Sequence, residues 1–458
     1  MGKKFYIRTF GCQMNKHDSE RIAGLLSECH FQETLEIGQA EVIIYNTCSV
    51  RENADNRLFG HLSQLASLKE RKRSLKVVVA GCIAQKMKED LLERSPHVDI
   101  VVGPNDLGAL PHLIRMSEEK KARLCQARDK PQQEITSLPS KRKSAFKAWL
   151  PIMTGCNNFC SYCIVPYVRG REHSRPFEEV LTEAQELVDD GVVEITLLGQ
   201  NVNSYHDGNG RGFFHLLEAV SQIEGAKRIR FATSHPKDLS PEVIDLIAQR
   251  ENICNHIHLP LQSGSNRILS HMNRKYTREH FLHLTSLIQE RIPEAALSTD
   301  IIVGYLSEEE EDFWDTVDML KKCRFDQAFI FEFSPRPGTT ASMMEDRISK
   351  AEKQRRFRMV NDLQKEISWQ KNRSYIGRCI TVLVEGRSKK DPGEISGRTD
   401  NNKVVNFPGS SELIGKMVSV KIVDAGAFSL KGIAHVPRRT TSHENCVIFK
   451  GELQRISD

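Results

Sequence analysis

No apolar run in this chain approaches the roughly 20 residues that a helix needs to cross a bilayer; the longest are pieces such as Val77-Val78-Val79-Ala80. No membrane association is therefore expected. The stretch Met1-Gly2-Lys3-Lys4-Phe5-Tyr6-Ile7-Arg8 lacks the apolar core of a secretory signal. Cysteine is sparse, twelve among 458 residues, too few for a secreted disulfide scaffold. These absences point to a reducing cytoplasm. A strong charge bias is missing as well: 65 Lys and Arg against 60 Asp and Glu leave a net charge of +5, which permits nucleic-acid binding without demonstrating it. What is present is length, 458 residues with 39% hydrophobic content, enough for two or three domains with their own cores.

Three of the cysteines crowd into Thr154-Gly155-Cys156-Asn157-Asn158-Phe159-Cys160-Ser161-Tyr162-Cys163, a C-x3-C-x2-C spacing just after the apolar stretch Trp149-Leu150-Pro151-Ile152-Met153. A structural zinc site closes with four protein ligands, usually two short pairs, and no second pair lies nearby. Three thiolates on a cubane [4Fe-4S] cluster leave one iron open, and an open iron can chelate the amino and carboxylate groups of S-adenosylmethionine. The loop, with the aromatic Tyr162 before its third cysteine, closely resembles that of the radical-SAM superfamily. Unpaired structural or zinc-bound cysteines are the alternative reading.

The first part of the chain reads as repeated strand–cysteine–helix units. Lys4-Phe5-Tyr6-Ile7-Arg8-Thr9-Phe10 ends in Gly11-Cys12, Val42-Ile43-Ile44-Tyr45-Asn46-Thr47 in Cys48, and Val77-Val78-Val79-Ala80-Gly81 in Cys82. A helical pattern follows each, with Asp18 and Ser19 as candidate caps for the first. Such alternation implies a parallel sheet, whose ligands collect beyond the carboxyl ends of the strands. Cys12, Cys48 and Cys82 all fall at that edge and would form a second three-thiolate cradle. The isolated Cys29, Cys125, Cys254, Cys323, Cys379 and Cys446 read as ordinary buried thiols.

The chain divides as a Rossmann-like parallel-sheet α/β domain (1–118), a polar linker (119–147) containing Pro131, Pro139 and Lys141-Arg142-Lys143, a central domain (148–374), a small β-barrel (375–439) and a tail (440–458). The central domain alternates about six strands with helices, the pattern of a partial (β/α)6 TIM-like barrel with its chemistry at the C-terminal mouth. Gln200, Asn201, Ser234, His235, Gln262, Ser263 and Asp300 cluster where strands end. With Tyr162, all but His235 are the candidate cofactor contacts; each alone also fits loop solvation or capping. A single helix is expected from Ile348 to Arg373, with an apolar stripe of Phe357, Val360, Leu363 and Ile367. Its Arg355, Arg356, Arg358, Lys365 and Lys371 read as a solvated face. Short alternating strands follow, at residues 380–385, 403–407 and 417–423, enriched in Arg378, Arg387, Lys389, Lys390, Arg398 and Lys403, which suits a fold that tracks a phosphate backbone.

The ordered set Gly11-Cys12-Gln13-Met14-Asn15, Asn46-Thr47-Cys48-Ser49-Val50-Arg51, Ala80-Gly81-Cys82, the Cys156 loop, Gly170-Arg171-Glu172, Thr233-Ser234-His235-Pro236-Lys237-Asp238, Pro260-Leu261-Gln262-Ser263-Gly264-Ser265 and Ser334-Pro335-Arg336-Pro337-Gly338-Thr339 resembles the MiaB-type methylthiotransferases over nearly the whole chain. The resemblance implies a radical-SAM core, a C-terminal TRAM domain with Gly397-Arg398-Thr399 as its signature, and two [4Fe-4S] clusters, on Cys156, Cys160 and Cys163 and on Cys12, Cys48 and Cys82. It further implies S-adenosylmethionine as radical source and methyl donor, and methylthio transfer to carbon 2 of N6-isopentenyladenosine at position 37 of tRNA, in the anticodon loop. Sister families act on threonylcarbamoyl adenosine or on a ribosomal protein; a zinc-holding RNA-binding protein is the non-catalytic rival. An electron donor such as flavodoxin or ferredoxin and a sulfur source are implied partners, and a monomer is expected. One segment departs from the family: Val303-Gly304-Tyr305-Leu306-Ser307-Glu308 stands where Val-Gly-Phe-Pro-Gly-Glu is usual. Ser307 with Glu310 is expected to form a capping box that preserves helix initiation there.

Overall fold

The structure, a computed structural model, describes residues 2–49, 52–129 and 138–435. Val50, Arg51, Pro131, Cys446 and the tail 440–458 lie outside the described residues.

The N-terminal sheet contains β1 (Lys4–Thr9), β2 (Gln32–Glu33), β3 (Val42–Thr47), β4 (Lys76–Gly81), β5 (Ile100–Val102) and β6 (Leu124–Gln126), all parallel, in the order β2-β1-β3-β4-β5-β6. β3 is buried throughout and β4 from Val77 onward, which their unbroken apolar runs require of strands covered on both faces. Ile22, Leu26, Leu107 and Ile114 pack on one face; Leu58, Leu62, Ile83 and Leu91 pack on the other. The first helix, Gln13–Glu28, starts directly after Cys12 because β1 ends at Thr9 and leaves only Phe10, Gly11 and Cys12 for the turn. Asp18 and Ser19, expected as its caps, therefore lie inside it. Asp18 is buried against Arg169, and Ser19 bonds Thr9 and Asn46.

The central domain holds β7 (Lys147–Pro151), β8 (Met153–Thr154), β9 (His173–Ser174), β10 (Glu194–Leu198), β11 (Arg228–Phe231), β12 (His256–His258), β13 (Ala296–Val303) and β14 (Gln327–Glu332). Six of them form two parallel sheets, β11-β10-β7 and β12-β13-β14. This is the expected partial barrel, opened between β11 and β12. Helices Phe177–Asp189, Phe213–Ser221, Pro241–Gln249 and Arg278–Arg291 close its outside, setting Val180, Leu217, Ile247 and Ile288 into one core with Ile195, Ile229 and Ile257. In the departing segment Leu306 adopts a φ of 33°, and the next helix is Glu310–Cys323. Its start is held by Asp312 Oδ2 accepting from Glu309 N at 2.9 Å. The expected Ser307–Glu310 box does not form; Ser307 Oγ meets His271 Nδ1 at 3.3 Å instead.

The long helix runs Lys350–Arg373, with the Ser349 hydroxyl accepting from Glu352 N. Its stripe packs as expected, Val360 and Ile367 fully and Phe357 and Leu363 in part. Its basic face is not uniformly solvated. Arg356 is buried and pairs with Glu308 at 2.8 Å, and Lys371 pairs with Asp326 at 2.5 Å. Beyond it, β15 (Cys379–Arg387), β16 (Glu394–Arg398), β17 (Val404–Pro408), β18 (Met417–Ala425) and β19 (Leu430–Ala434) close into a barrel in the order β15-β16-β17-β19-β18. The sequence pattern located three of these five strands. β16 and β19 escaped it because each is a short run of five residues interrupted by a glycine, Gly397 and Gly432, whose added Cβ would stand 2.3 Å from a neighbouring strand. Two of the barrel's basic residues are paired as well: Lys403 is buried on Asp326 of the central domain at 2.6 Å, and Arg398 lies against Glu385 and Asn402. Among the isolated thiols Cys254 and Cys323 are buried, Cys125 is half-buried, and Cys29 and Cys379 are exposed, corrections to the expectation for those last three. Cys29 follows the end of a helix and Cys379 stands at the exposed start of β15.

Candidate active site

The sheet order brings the N-terminal trio together. Cys12, Cys48 and Cys82 follow β1, β3 and β4, which lie side by side. Two glycines make the approach possible. A Cβ on Gly11 would stand 2.3 Å from the Cys48 Cβ, and one on Gly81 would stand 2.4 Å from Asn46 Oδ1; both residues have positive φ. Beneath the thiols lies a buried amide pair. Asn46 Nδ2 donates to Asn15 O at 2.8 Å, Asn15 Nδ2 donates to Thr47 O at 3.2 Å, and Cys12 Sγ lies 3.3 Å from Asn15 Oδ1. Cys48 holds its proton far above the ordinary thiol range because it bonds both neighbours. Those bonds, with the charge of Arg169, pull Cys12 and Cys82 down to about 6.

The second trio needs no sheet order, since one loop supplies it, but the loop is stitched down from two sides. Cys156 N donates to Gly170 O at 3.2 Å, and a Cβ on Gly155 would stand 2.0 Å from Arg171 O; the Gly170-Arg171-Glu172 motif is thus the loop's clamp. On the other side Ser161 N donates to Met272 O at 3.0 Å, Asn273 Nδ2 donates to Phe159 O at 2.9 Å, and Arg274 Nη1 donates to Cys160 Sγ at 3.3 Å. Burial raises Cys156 and pushes Cys163 up to about 12. Tyr162 packs inward against Met272, Tyr305 and Phe333. All described cysteines are free. Among the described residues no three His, Cys, Asp or Glu side chains close on a point that one metal ion could occupy; thiols serving a cubane each bind a different iron and need no such point.

Around the mouth, strand ends present buried polar atoms that no protein group satisfies: Gln200 Oε1, Asn201 Oδ1, both amide atoms of Asn203, Ser234 Oγ, His235 Nε2 and Gln262 Oε1. Buried polar groups are rarely left alone, so their convergence after β10, β11 and β12 fits a polar small molecule such as S-adenosylmethionine. Burial keeps His235 neutral, pulling it down to about 2. Thr233 and Gln262 hold positive φ of 72° and 66° there. Asn201 is anchored by Asp238 at 2.7 Å. Two candidates sit apart from this ring. Ser263 Oγ is fully buried, accepting from Ser265 N and facing Thr316, and Asp300 lies within β13, 3.4 Å from His258 Nε2. Sequence reading missed Asn203 and Arg274 as site residues; for Arg274 the partner Cys160 is 114 positions away, and no local pattern marks it.

Below the mouth a cavity of about 530 Å3 joins all three domains. Gln13 and Lys16, beside Cys12, form one end. The barrel interior supplies Thr196 and Phe329, and the terminal barrel supplies Asn402 and Phe428 at the other.

Residues 150–320 match the radical SAM superfamily, residues 373–435 match the TRAM domain, and residues 4–103 match the family described as uncharacterized protein family UPF0004. Fold and site thus define a radical S-adenosylmethionine enzyme, a class that carries an iron–sulfur cluster and S-adenosylmethionine. The solved radical S-adenosylmethionine methyltransferase TsrM from Kitasatospora setae, with cobalamin and a [4Fe-4S] cluster bound, superposes with a TM-score of 0.56 at 14% identity over 74% of each chain, a likeness of fold alone. Two curated relatives named tRNA-2-methylthio-N(6)-dimethylallyladenosine synthase, from Acetivibrio thermocellus and Carboxydothermus hydrogenoformans, are each 46% identical over 435 residues, covering 94% of this chain and 91% and 99% of theirs. The chain belongs to this methylthiotransferase family. No helix among the described residues is long and apolar enough to cross a membrane.

Proposed function

We infer that this chain transfers a methylthio group to carbon 2 of N6-isopentenyladenosine at position 37 of tRNA, with one [4Fe-4S] cluster on Cys156, Cys160 and Cys163 and a second on Cys12, Cys48 and Cys82. The observation that carries this is the cavity that runs from Gln13 and Lys16, which follow Cys12 in sequence, through the interior of the central domain to the terminal barrel. Carbon 2 of adenine bears an aromatic C–H that acid–base catalysis cannot activate; bound in their cradles, the clusters and S-adenosylmethionine supply the radical chemistry, sulfur and methyl group it requires.

The chain's own residues bind and orient. Asn201, Asn203, Ser234 and Gln262 offer hydrogen bonds to the cofactor's polar ends, and neutral His235 offers a ring nitrogen that carries no charge to repel a sulfonium. Phe329 and the exposed Phe428 line the cavity and give an extruded base a face on which to stack, worth roughly 1–3 kcal/mol per base. An anticodon loop makes extrusion cheaper than a duplex would. Exposed Arg387, Lys389 and Lys390 on the terminal barrel supply phosphate contacts. Replacing all three by Ala is expected to flatten the salt dependence of tRNA affinity, by roughly 0.7–0.9 in the log–log slope per lost contact; binding measured from low to high salt checks this.

The deciding experiment is a single-turnover comparison of one anticodon stem-loop carrying isopentenylated, threonylcarbamoylated or plain adenosine. The isopentenylated loop is expected to react far faster, since its substituent adds apolar surface worth about 0.8 kcal/mol per buried CH2. Equal rates, or preference for the threonylcarbamoyl form, would overturn the substrate assignment.

A further inference from the structure

Arg169 leaves the short helix Val165–Val168 that follows Cys163, yet its side chain belongs to the other cradle. Its Nη2 donates to Asp18 Oδ2 at 2.6 Å and its Nε donates to Cys82 Sγ at 3.4 Å. The guanidinium is 6% exposed and Asp18 is 2% exposed, so the contact is desolvated. Ile164 and Val168 pack on Cys82 and fix where the side chain starts. Arg169 shares its surroundings with Arg21 and Arg175, faced by the carboxylates of Asp18 and Glu183. Guanidiniums outnumber carboxylates by one. A buried charge without a partner costs several kcal/mol, and the anionic group left within reach is the thiol set of the N-terminal cradle.

We propose that Arg169 is a positioning residue for that cradle: from the core domain it sets the charge balance, and through it the reduction potential, of the iron–sulfur group held by Cys12, Cys48 and Cys82. The cradle then reaches its working state only when the two domains are seated together. The inference rests on the reading of those three cysteines as cluster ligands.

A donor and positive charge beside a cluster favour its reduced, more negative form. Arg169 and Asp18 consequently pull in opposite directions, which separates electrostatics from loosened packing. The experiment uses the full chain with Cys156, Cys160 and Cys163 replaced by Ala, reconstituted anaerobically, so that the N-terminal cluster alone gives the electron paramagnetic signal. Its midpoint potential is titrated in this background and after adding Arg169→Met, Arg169→Lys or Asp18→Asn, with iron per chain measured throughout. The expected result is a more negative potential for Arg169→Met, a smaller shift of the same sign for Arg169→Lys, and a shift to less negative potential for Asp18→Asn. If Arg169→Met fails to hold iron, Arg169→Lys and Asp18→Asn still decide by the sign of their shifts. Unchanged potentials, or shifts of one sign in the Arg169 and Asp18 variants, overturn the proposal. A background protein that holds no reducible cluster overturns the ligand reading first, before any Arg169 substitution is made.

Discussion

The two cysteine trios are assembled by opposite routes. Cys156, Cys160 and Cys163 come from one loop, and the fold's task is only to pin that loop down through Gly170, Met272 and Asn273. Cys12, Cys48 and Cys82 come from three strand ends, and they meet only because β1, β3 and β4 are neighbours in the sheet. Their electrostatics differ accordingly. The loop's Cys156 and Cys163 are raised by burial, whereas two thiols of the strand-end set are lowered by a shared proton and a guanidinium from another domain. A local cradle can form as soon as its loop is seated; a dispersed one is a property of the assembled fold.

The comparison breaks most completely at the cysteines themselves. Replacing Cys156, Cys160 or Cys163 by Ala is expected to abolish reductive cleavage of S-adenosylmethionine to 5′-deoxyadenosine. Replacing Cys12, Cys48 or Cys82 should leave that cleavage measurable and eliminate thiolated nucleoside. Both are read by chromatography of the same reaction, and thiolated product at wild-type levels from the strand-end variants would dissolve the division of labour.

Thiol reactivity of the metal-free protein comes next, because the two sets ionise in different ranges. Cys12, lowered to about 6 and exposed, is mostly thiolate at neutral pH, and its alkylation by iodoacetamide should fall by half as pH drops through about 6. Cys163, raised to about 12, should react slowly at neutral pH and gain about tenfold per pH unit upward, since only the thiolate attacks. Mass mapping of labelled peptides across pH checks both. Equal profiles would mean the cradles share one environment.

How much of this was readable in advance follows the same division. The C-x3-C-x2-C loop is visible within ten residues because its ligands are local. The strand-end trio is visible because Gly-Cys or Thr-Cys closes each apolar run, and parallel sheets gather such ends. What stayed hidden depends on long side chains crossing between elements. Arg169 reaches Cys82, Arg274 reaches Cys160, Arg356 reaches Glu308 and Lys403 reaches Asp326; from sequence, each is one more basic residue on a polar face. The orphaned amide of Asn203 was hidden for a related reason, since only burial distinguishes it from an ordinary loop residue.

Glycine substitutions sharpen the contrast on a smaller scale. Gly81→Ala places a Cβ 2.4 Å from Asn46 Oδ1 and 2.6 Å from Thr47 O at a φ of 89°. The backbone conformation alone is expected to cost about 1–3 kcal/mol, and cluster loading in the N-terminal cradle should fall with it. Gly155→Ala should do the same to the loop cradle only, because its clash is with Arg171 O. Iron per chain, measured in backgrounds that retain one trio each, separates the two; loss of both clusters from either substitution would mean the cradles fold as one unit.

The smallest expected effect lies at the segment where this chain departs from its family. The Tyr305 hydroxyl lies 2.7 Å from Ser161 Oγ, in the cysteine loop, and 3.3 Å from His271 O. The ring is fully buried against Phe333, so Tyr305→Phe keeps the packing and removes only the hydroxyl. Ser161 Oγ retains His271 O as a partner at 2.9 Å, so no donor is stranded and the full penalty of an unsatisfied buried group does not arise. The expected loss is that of one ordinary hydrogen bond, about 1 kcal/mol, with iron loading unchanged, measured by denaturant unfolding of the metal-free chain and iron analysis of the reconstituted one. A larger loss, or reduced iron on Cys156, Cys160 and Cys163, would show that the loop cradle is held by Tyr305 as well as by its clamp at Gly170, and is less local than its spacing suggests.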